Sequence, residues 1–267
     1  MADEKIKKRL VFYFYAFENY KDNYANKLHL NCLKHYANIF DEVIFVISVD
    51  DLENKELILD VELEIIKCGF KDIRFKLHKN NAYREVPTFY DEIVERLDKL
   101  DGITFFGHNK GTTNVQKADA VIKSIEAWIL GMYYLNLEFI SEVEEQLCSD
   151  VPRFYGAFLL DARKWDILNV CYYVGTFYWV NGPKIAVDIL TKYVEPLDTY
   201  HHRGFAECFP GLLYRNCGLE IFGSHEHRFY TEGRMDSYYQ MQTYIPFLLG
   251  NDLTGYNKFC EKNLENV

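Results

Sequence analysis

Apolar positions in the first half of the chain follow two alternating patterns. Short apolar runs at Leu10–Tyr15, Val43–Ile47 and Gly102–Phe106 read as buried strands, and Ile73–Leu77 reads as a further strand between the last two. Between them lie longer stretches with apolar residues three and four apart. Leu28, Leu30, Leu33, Tyr36, Ala37 and Phe40 mark one helix within Ala25–Phe40. A second lies near Leu57–Lys67, and Phe89, Ile93, Val94 and Leu97 form the inner face of a third over Pro87–Leu100. The fourth run is followed by a long helical stretch, Gln116–Leu137.

Strand and helix alternating four times predict an α/β fold, with parallel strands joined by right-handed crossovers and helices flanking the sheet. The second half changes character. Phe154–Leu160 and Cys171–Val180 read as strands, Gly182-Pro183 opens a helix, and a short helix lies near Glu207–Arg215. No repeat, low-complexity tract or linker interrupts the chain, so one domain is expected over residues 1–267, with halves at 10–115 and 116–267.

Ligands in parallel sheets of this kind bind beyond the carboxyl ends of the strands. Four places therefore carry the candidate chemistry: Tyr15-Ala16-Phe17, Asp50-Asp51, His78–Asn81 and His108–Gly111. The last is the richest, for Gly107-His108-Asn109-Lys110-Gly111-Thr112-Thr113-Asn114 puts an imidazole, an ammonium and free backbone directly after a strand. Those groups suit a diphosphate leaving group, and equally a polar turn capped by Thr113 or Asn114. Asn81, Arg84 and Glu85 follow the third strand and suit a ribose or pyrophosphate, against the plainer reading of a loop with a surface ion pair. Asp50 suits a ribose hydroxyl or base, and as readily a strand-terminal turn.

In the second half, Thr176, Tyr178 and Trp179 would present small and aromatic side chains to a sugar face, or simply pack as a strand. Glu207 and Asp161 stand in aromatic surroundings that raise carboxyl pKa values, which makes them the candidate catalytic bases. His201, His202, His225 and His227 form two close pairs with no D-x-D triplet beside them, and read as surface or core histidines before metal ligands.

Composition narrows the partners. A net charge of −10 argues against nucleic acid, whose phosphates require a basic stripe. Seven cysteines without a CxxC pair suggest neither a disulfide framework nor a zinc knuckle, and point to a reducing, cytoplasmic setting. Leu10–Phe17 is too short to cross a bilayer, and Lys5, Lys7, Lys8 and Arg9 allow at most peripheral membrane contact. Aromatic residues reach 16%, a surplus that suits either a large core or a stacking cleft.

Three segments in order carry a resemblance. Asn81-x-x-Arg84-Glu85-x-x-Thr88-Phe89 resembles the N-x-G-R-D segment of rhamnan-synthesis-type glycosyltransferases, and Phe105–Gly111 is similar to their H-x-K-[GS] motif. Val174-Gly175-Thr176-Phe177-Tyr178-Trp179 resembles the G-x-F-W-W segment of related polysaccharide-assembly enzymes. The resemblance implies a GT-A-like, Rossmann-type fold and transfer of a sugar from a nucleotide-sugar donor to a glycan or lipid-linked acceptor. Residues 10–115 would then form the donor half and 116–267 the acceptor half. It places Asn81, Arg84, Glu85, His108 and Lys110 at the donor, where Tyr15 and Asp50 join them by their position at strand ends. Thr176, Tyr178 and Trp179 are the residues expected at the acceptor. Such enzymes take Mn2+ or Mg2+, yet no D-x-D triplet occurs here, which leaves the metal open. Tyr83 and Glu85 also stand where the family has glycine and aspartate. A non-catalytic glycan-binding module on the same fold is the alternative. A methyltransferase-like enzyme is disfavoured by Tyr15-Ala16-Phe17-Glu18-Asn19, which is no glycine-rich loop.

Overall fold

Residues 7–15 are extended because the run from Leu10 to Phe14 is apolar on both sides, as a strand covered on both faces must be. Leu10, Phe12 and Phe14 point to one face and Val11 and Tyr13 to the other, and all are buried. This strand, β1 (Lys7–Tyr15), lies between β2 (Glu42–Val49) and β4 (Gly102–His108), parallel to both, and β3 (Ile73–Lys79) adds in parallel outside β2. The computed structural model describes residues 6–81, 84, 85, 87–89, 91, 92, 102–112, 119–148, 154–157, 159, 160, 172, 173, 176–181, 219, 220, 253–265 and 267.

Two helices follow the first two strands. Helix α1 (Tyr24–Tyr36) starts at Asn23, whose side chain accepts the amide of Asn26, and α2 (Lys55–Ile66) starts at Asn54, which accepts the amide of Leu57. Ala25, Leu28, His29, Cys32, Leu33 and Tyr36 form the buried stripe of α1, and Ile58, Val61 and Ile65 that of α2. Both stripes join Phe12, Phe14 and Phe45 in one core. Burying each such ring or branched side chain contributes about 1.5–3 kcal/mol. The helix expected to run to Phe40 ends at Tyr36, and Ala37–Ile39 tighten into a 3-10 turn.

The return from β3 to β4 covers the opposite face. Residues 87–89 and 91–92 are helical, and Phe89 packs edge-on against Phe106, ring centroids 5.2 Å apart. The chain thus steps β1, β2, β3 in one direction with helices on one face, then crosses back with its helix on the other, as right-handed crossovers require. The remainder of that expected helix, up to Leu100, lies outside the described residues.

Helix α3 (Asp119–Leu137), α4 (Ile140–Cys148) and α5 (Leu253–Leu264) complete the described helices, and α5 packs on α1 and α3. Short strands β5 (Phe154–Gly156), β8 (Tyr178–Asn181) and β9 (Leu219–Glu220) extend the sheet in the order β3-β2-β1-β4-β8-β5-β9. Strand β8 is antiparallel to both β4 and β5, so the sheet is mostly rather than wholly parallel. The expected strands Phe154–Leu160 and Cys171–Val180 are each divided. β6 (Leu159–Leu160) and β7 (Tyr172–Tyr173) pair with each other in a separate two-stranded sheet. The result is an α/β fold with a mostly parallel sheet flanked by helices, compatible with a Rossmann-like architecture. The helices expected after Gly182-Pro183 and at Glu207–Arg215 lie outside the described residues, while α5 and β9 were not foreseen.

The basic residues near the start serve the fold. Lys7, Lys8 and Arg9 belong to β1 itself, where Arg9 and Lys7 meet the buried Glu42 at 2.9 and 3.0 Å and Lys8 pairs with Glu144. Among the described residues no helix is long and apolar enough to cross a membrane. Cys32, Cys68 and Cys260 carry free thiols.

Candidate functional site at the switch point

Strand order reverses direction between β1 and β4, because the chain goes outward to β3 and comes back to the other side of β1. At such a switch point the loops leaving two neighbouring strands diverge and open a crevice. Here those loops begin at Tyr15 and at His108.

Asn109 ties the two strand ends together. Its amide oxygen accepts the Tyr15 backbone N–H at 2.8 Å, and its amide nitrogen donates to the Tyr15 carbonyl at 2.9 Å and to Asn26 Oδ1 at 2.8 Å. The side chain therefore replaces one more rung of the ladder where the backbones part. Asn26 in turn donates to the Tyr20 carbonyl, and Asn23 donates to the Thr112 carbonyl at 2.8 Å. Three buried asparagines thus fix the start of α1 to both loops.

Below this lies His29 on the inner face of α1. Its Nε2 is 2.9 Å from the carbonyl oxygen of Lys110 and its Nδ1 is 3.0 Å from the Tyr133 hydroxyl. A carbonyl only accepts, so Nε2 carries the proton and donates, while Nδ1 accepts from Tyr133. Complete burial lowers the His29 pKa to about 3; the bond to Lys110 opposes that shift and the nearby His108 adds to it. The ring is neutral and holds the backbone of Lys110 in place. Next to it Gly111 has φ 90°, in the left-handed region that favours glycine. The Lys110 ammonium sits 5.1 Å from the centroid of the Trp128 ring, within cation–π range.

The outer edge of the crevice is polar and open. Tyr15 donates its hydroxyl to Asp50 Oδ2, and Asn80 donates to Asp50 Oδ1, both at 2.8 Å. Asp50 and Asn81 are exposed. The Tyr15 hydroxyl is pushed up to about 12, by burial first and then by the bond to and charge of Asp50, with the Arg84 charge opposing. Arg84 also acts on the deeper Tyr13 hydroxyl, which donates to Ser48 Oγ at 2.7 Å.

Glu85 behaves differently from its expected role at a ribose. It is buried, and its carboxylate lies 3.1 Å from His108 Nδ1. Burial would raise its pKa, but the charge and hydrogen bond of His108, the backbone bond and the charge of Lys110 outweigh it, and the carboxyl is held below its ordinary value.

The structure therefore gathers Tyr15, Asp50, Asn81, Arg84, Glu85, His108 and Lys110 around the carboxyl ends of β1 to β4. Thr176, Tyr178 and Trp179 lie on the neighbouring β8 and its approach, and all three are fully buried. Trp179 packs on Phe105 and Phe40 and donates its indole N–H to the Asn136 carbonyl at 2.8 Å, while Tyr178 stacks on Phe106. A ring enclosed in this way has no face to offer a sugar, so the expected acceptor platform does not form from Tyr178 and Trp179. Asp161, Glu207 and the four histidines from His201 to His227 lie outside the described residues. Asn26 and His29 are the contributors that sequence reasoning missed, and Asn109, inside the stretch it singled out, received no role of its own there. His29 had a signal, because it is the polar residue on the apolar stripe between Ala25 and Leu33.

Among the described residues no group of three or more His, Cys, Asp or Glu could hold a metal ion. Neither the protein-family models nor the curated proteins compared with this chain gave a match.

Proposed function

We propose that the chain is a GT-A-like glycosyltransferase that moves a sugar from a nucleotide-sugar donor to a glycan or lipid-linked acceptor. The observation that carries this reading is the convergence of Tyr15, Asp50, Asn81, Arg84 and Lys110 from four separate segments on the switch-point crevice. Tyr15, Asp50 and Asn81 supply hydrogen-bonding groups of the kind a ribose and base need, on the exposed rim. Arg84 and Lys110 supply the positive charge that a diphosphate needs as it departs with the bonding electron pair. The ordered resemblance of Asn81–Phe89, Phe105–Gly111 and Val174–Trp179 to polysaccharide-assembly glycosyltransferases supports the same reading.

The divalent cation such enzymes use finds no ready ligand set among the described residues, and both Asp50 oxygens are already engaged by Tyr15 and Asn80. Lys110 is the group assigned to the leaving charge here, and no step is routed through a metal.

A panel of UDP-, GDP-, CMP- and dTDP-sugars, each with and without Mn2+, tests the reading by thermal shift. A donor at a hundredfold its Kd stabilises the folded chain by about 2.7 kcal/mol. The expected result is a shift with one nucleotide class, reduced in Lys110→Ala. No shift with any donor would leave a non-catalytic glycan-binding module as the better account.

A further inference from the structure

A row of polar side chains crosses the face of the sheet that the 85–92 segment covers. Register sets Ser48 beside His78 and Tyr13 beside His108, and the Tyr13 hydroxyl donates to Ser48. Strand β8 pairs Phe106 with Tyr178; His108 lies two residues beyond that pair on β4 and Thr176 two residues before it on the approach to β8. His108 Nε2 and Thr176 Oγ1 are both enclosed and without a hydrogen-bond partner. Buried polar atoms are nearly always satisfied, so each requires an account.

Backbone strain marks the same spot. Thr176 has φ 60° and Arg84, adjoining Glu85, has φ 51°, both in the left-handed region. For a β-branched residue that conformation is a genuine outlier, and such outliers cluster where function over-determines the backbone.

The proton positions on His108 follow from its partner. An ionised carboxylate only accepts, so Nδ1 carries the proton it shares with Glu85, and the neutral form of the ring then presents its lone pair at Nε2. A carboxylate that orients an imidazole while the far nitrogen stays open is the arrangement of a general base.

We propose that Glu85 and His108 form the proton-accepting dyad of this protein, with Nε2 of His108 as the atom that takes the proton of the acceptor hydroxyl. The proposal rests on the glycosyltransferase reading and moves the base from Asp161 or Glu207 to His108. The acceptor O–H gives its proton to Nε2 while its oxygen forms the bond to the anomeric carbon. The bond from that carbon to the diphosphate breaks, its electron pair leaving on the diphosphate oxygen, and the imidazolium proton then passes to solvent. Glu85 is a positioning residue that keeps Nδ1 protonated and balances the imidazolium charge. The titratable and charged groups facing His108 are Glu85 and Arg84 from the covering segment, Tyr13 from β1, His29 from α1 and Lys110 from its own loop.

Two measurements test this. Long-range 1H–15N correlation of the histidine rings in wild-type protein should show His108 as the Nδ1–H tautomer. Glu85→Gln should weaken that tautomer preference. An Nε2–H ring at neutral pH would overturn the dyad without touching the transferase reading. The second measurement uses the nucleotide sugar that shifts the melting temperature, with its hydrolysis by water read as turnover. His108→Gln should lower kcat by roughly a hundred- to ten-thousandfold and remove the acidic limb of the pH profile, leaving the thermal shift by donor in place. A loss of donor binding at unchanged kcat would overturn the proposal and make His108 a donor ligand. Absence of a donor shift in the wild-type chain would instead overturn the transferase reading, while the ring spectrum still decides whether the dyad exists.

Discussion

The side-chain amide of Asn109 is hydrogen-bonded to both the N–H and the carbonyl of Tyr15, at 2.8 and 2.9 Å, and so closes the gap between two strands at the point where their backbones separate. Asn109 is buried, and it is the only side chain described here that holds the β1 and β4 exits to one another and to α1.

Asn109→Ala should therefore destabilise the protein by about 2–4 kcal/mol, since it leaves the Tyr15 N–H and carbonyl and Asn26 Oδ1 without this partner in a closed space. Asn109→Asp should be nearly as harmful, because a carboxylate cannot donate to the Tyr15 carbonyl or to Asn26. Urea denaturation followed by far-UV circular dichroism measures both. A loss under about 0.5 kcal/mol for either would show that the strand ends are held by something else.

His29 makes stability depend on pH. Its folded pKa is about 3 and its unfolded value is near the ordinary imidazole value of 6.5, so between those limits the unfolded chain binds one more proton. The contribution is fully present above pH 6.5 and is lost as pH falls toward 3, by about 1.4 kcal/mol per unit. His35 and His78 are also lowered, by burial first, and add in the same direction. Glu85, held below its ordinary value, stabilises fully above the carboxylate range and loses that effect only as pH falls through it, so pH 5.5–7 isolates the histidines. The urea midpoint should fall across that window in wild type and fall less steeply in His29→Phe, which is less stable at pH 7. Equal slopes would remove His29 as the cause.

How much of this was readable in advance depended on whether a residue's role was set locally. β1, β2 and β4 are visible because strands buried on both faces must be apolar throughout, the edge strand β3 because apolar and polar residues alternate along it, and α1 to α3 because a buried stripe must repeat at helical spacing. His108, Lys110, Tyr15 and Asp50 could be placed at strand ends once those strands were placed. The direction of β8 could not be read, since four residues pair equally well either way and tertiary contacts decide. The same holds for Phe154–Leu160, where one apolar run serves two sheets. Glu85 was misread because its sequence neighbours suggest an exposed turn, while its partner, His108, is 23 positions away. Trp179 was offered as a binding surface because aromatic residues suit both cores and sugars, and sequence does not choose between them.

Gly111 lies between the cation and the helix that supports it. A Cβ there would come within 2.7 Å of Ile125 Cγ2 and would sit on a backbone with φ 90°. Gly111→Ala should cost about 1–3 kcal/mol through strain and displacement of the loop. It should also weaken the thermal shift given by donor, because the Lys110 carbonyl and ammonium ride on the same turn. A variant with wild-type stability and wild-type donor response would show that the turn adapts freely.

Thr176 offers the opposite prediction, a buried residue whose truncation does not destabilise. Its left-handed backbone costs a β-branched residue about 1–3 kcal/mol, and its unpartnered hydroxyl costs about 1–3 kcal/mol more. Thr176→Gly removes both penalties. Against that stand the lost burial of Cβ and its methyl group, about 1.6 kcal/mol, and the larger backbone entropy of glycine in the unfolded chain, about 0.5–1 kcal/mol. The balance predicts stability from near wild type to about 4 kcal/mol higher by urea denaturation. Thr176→Val keeps the strain and the methyl group and replaces the hydroxyl by a second methyl, so it separates the two penalties: it should gain from the lost orphan alone. A destabilisation of Thr176→Gly by more than 1 kcal/mol would mean that the residue is held by packing, and that its backbone conformation is a consequence of that packing rather than of function.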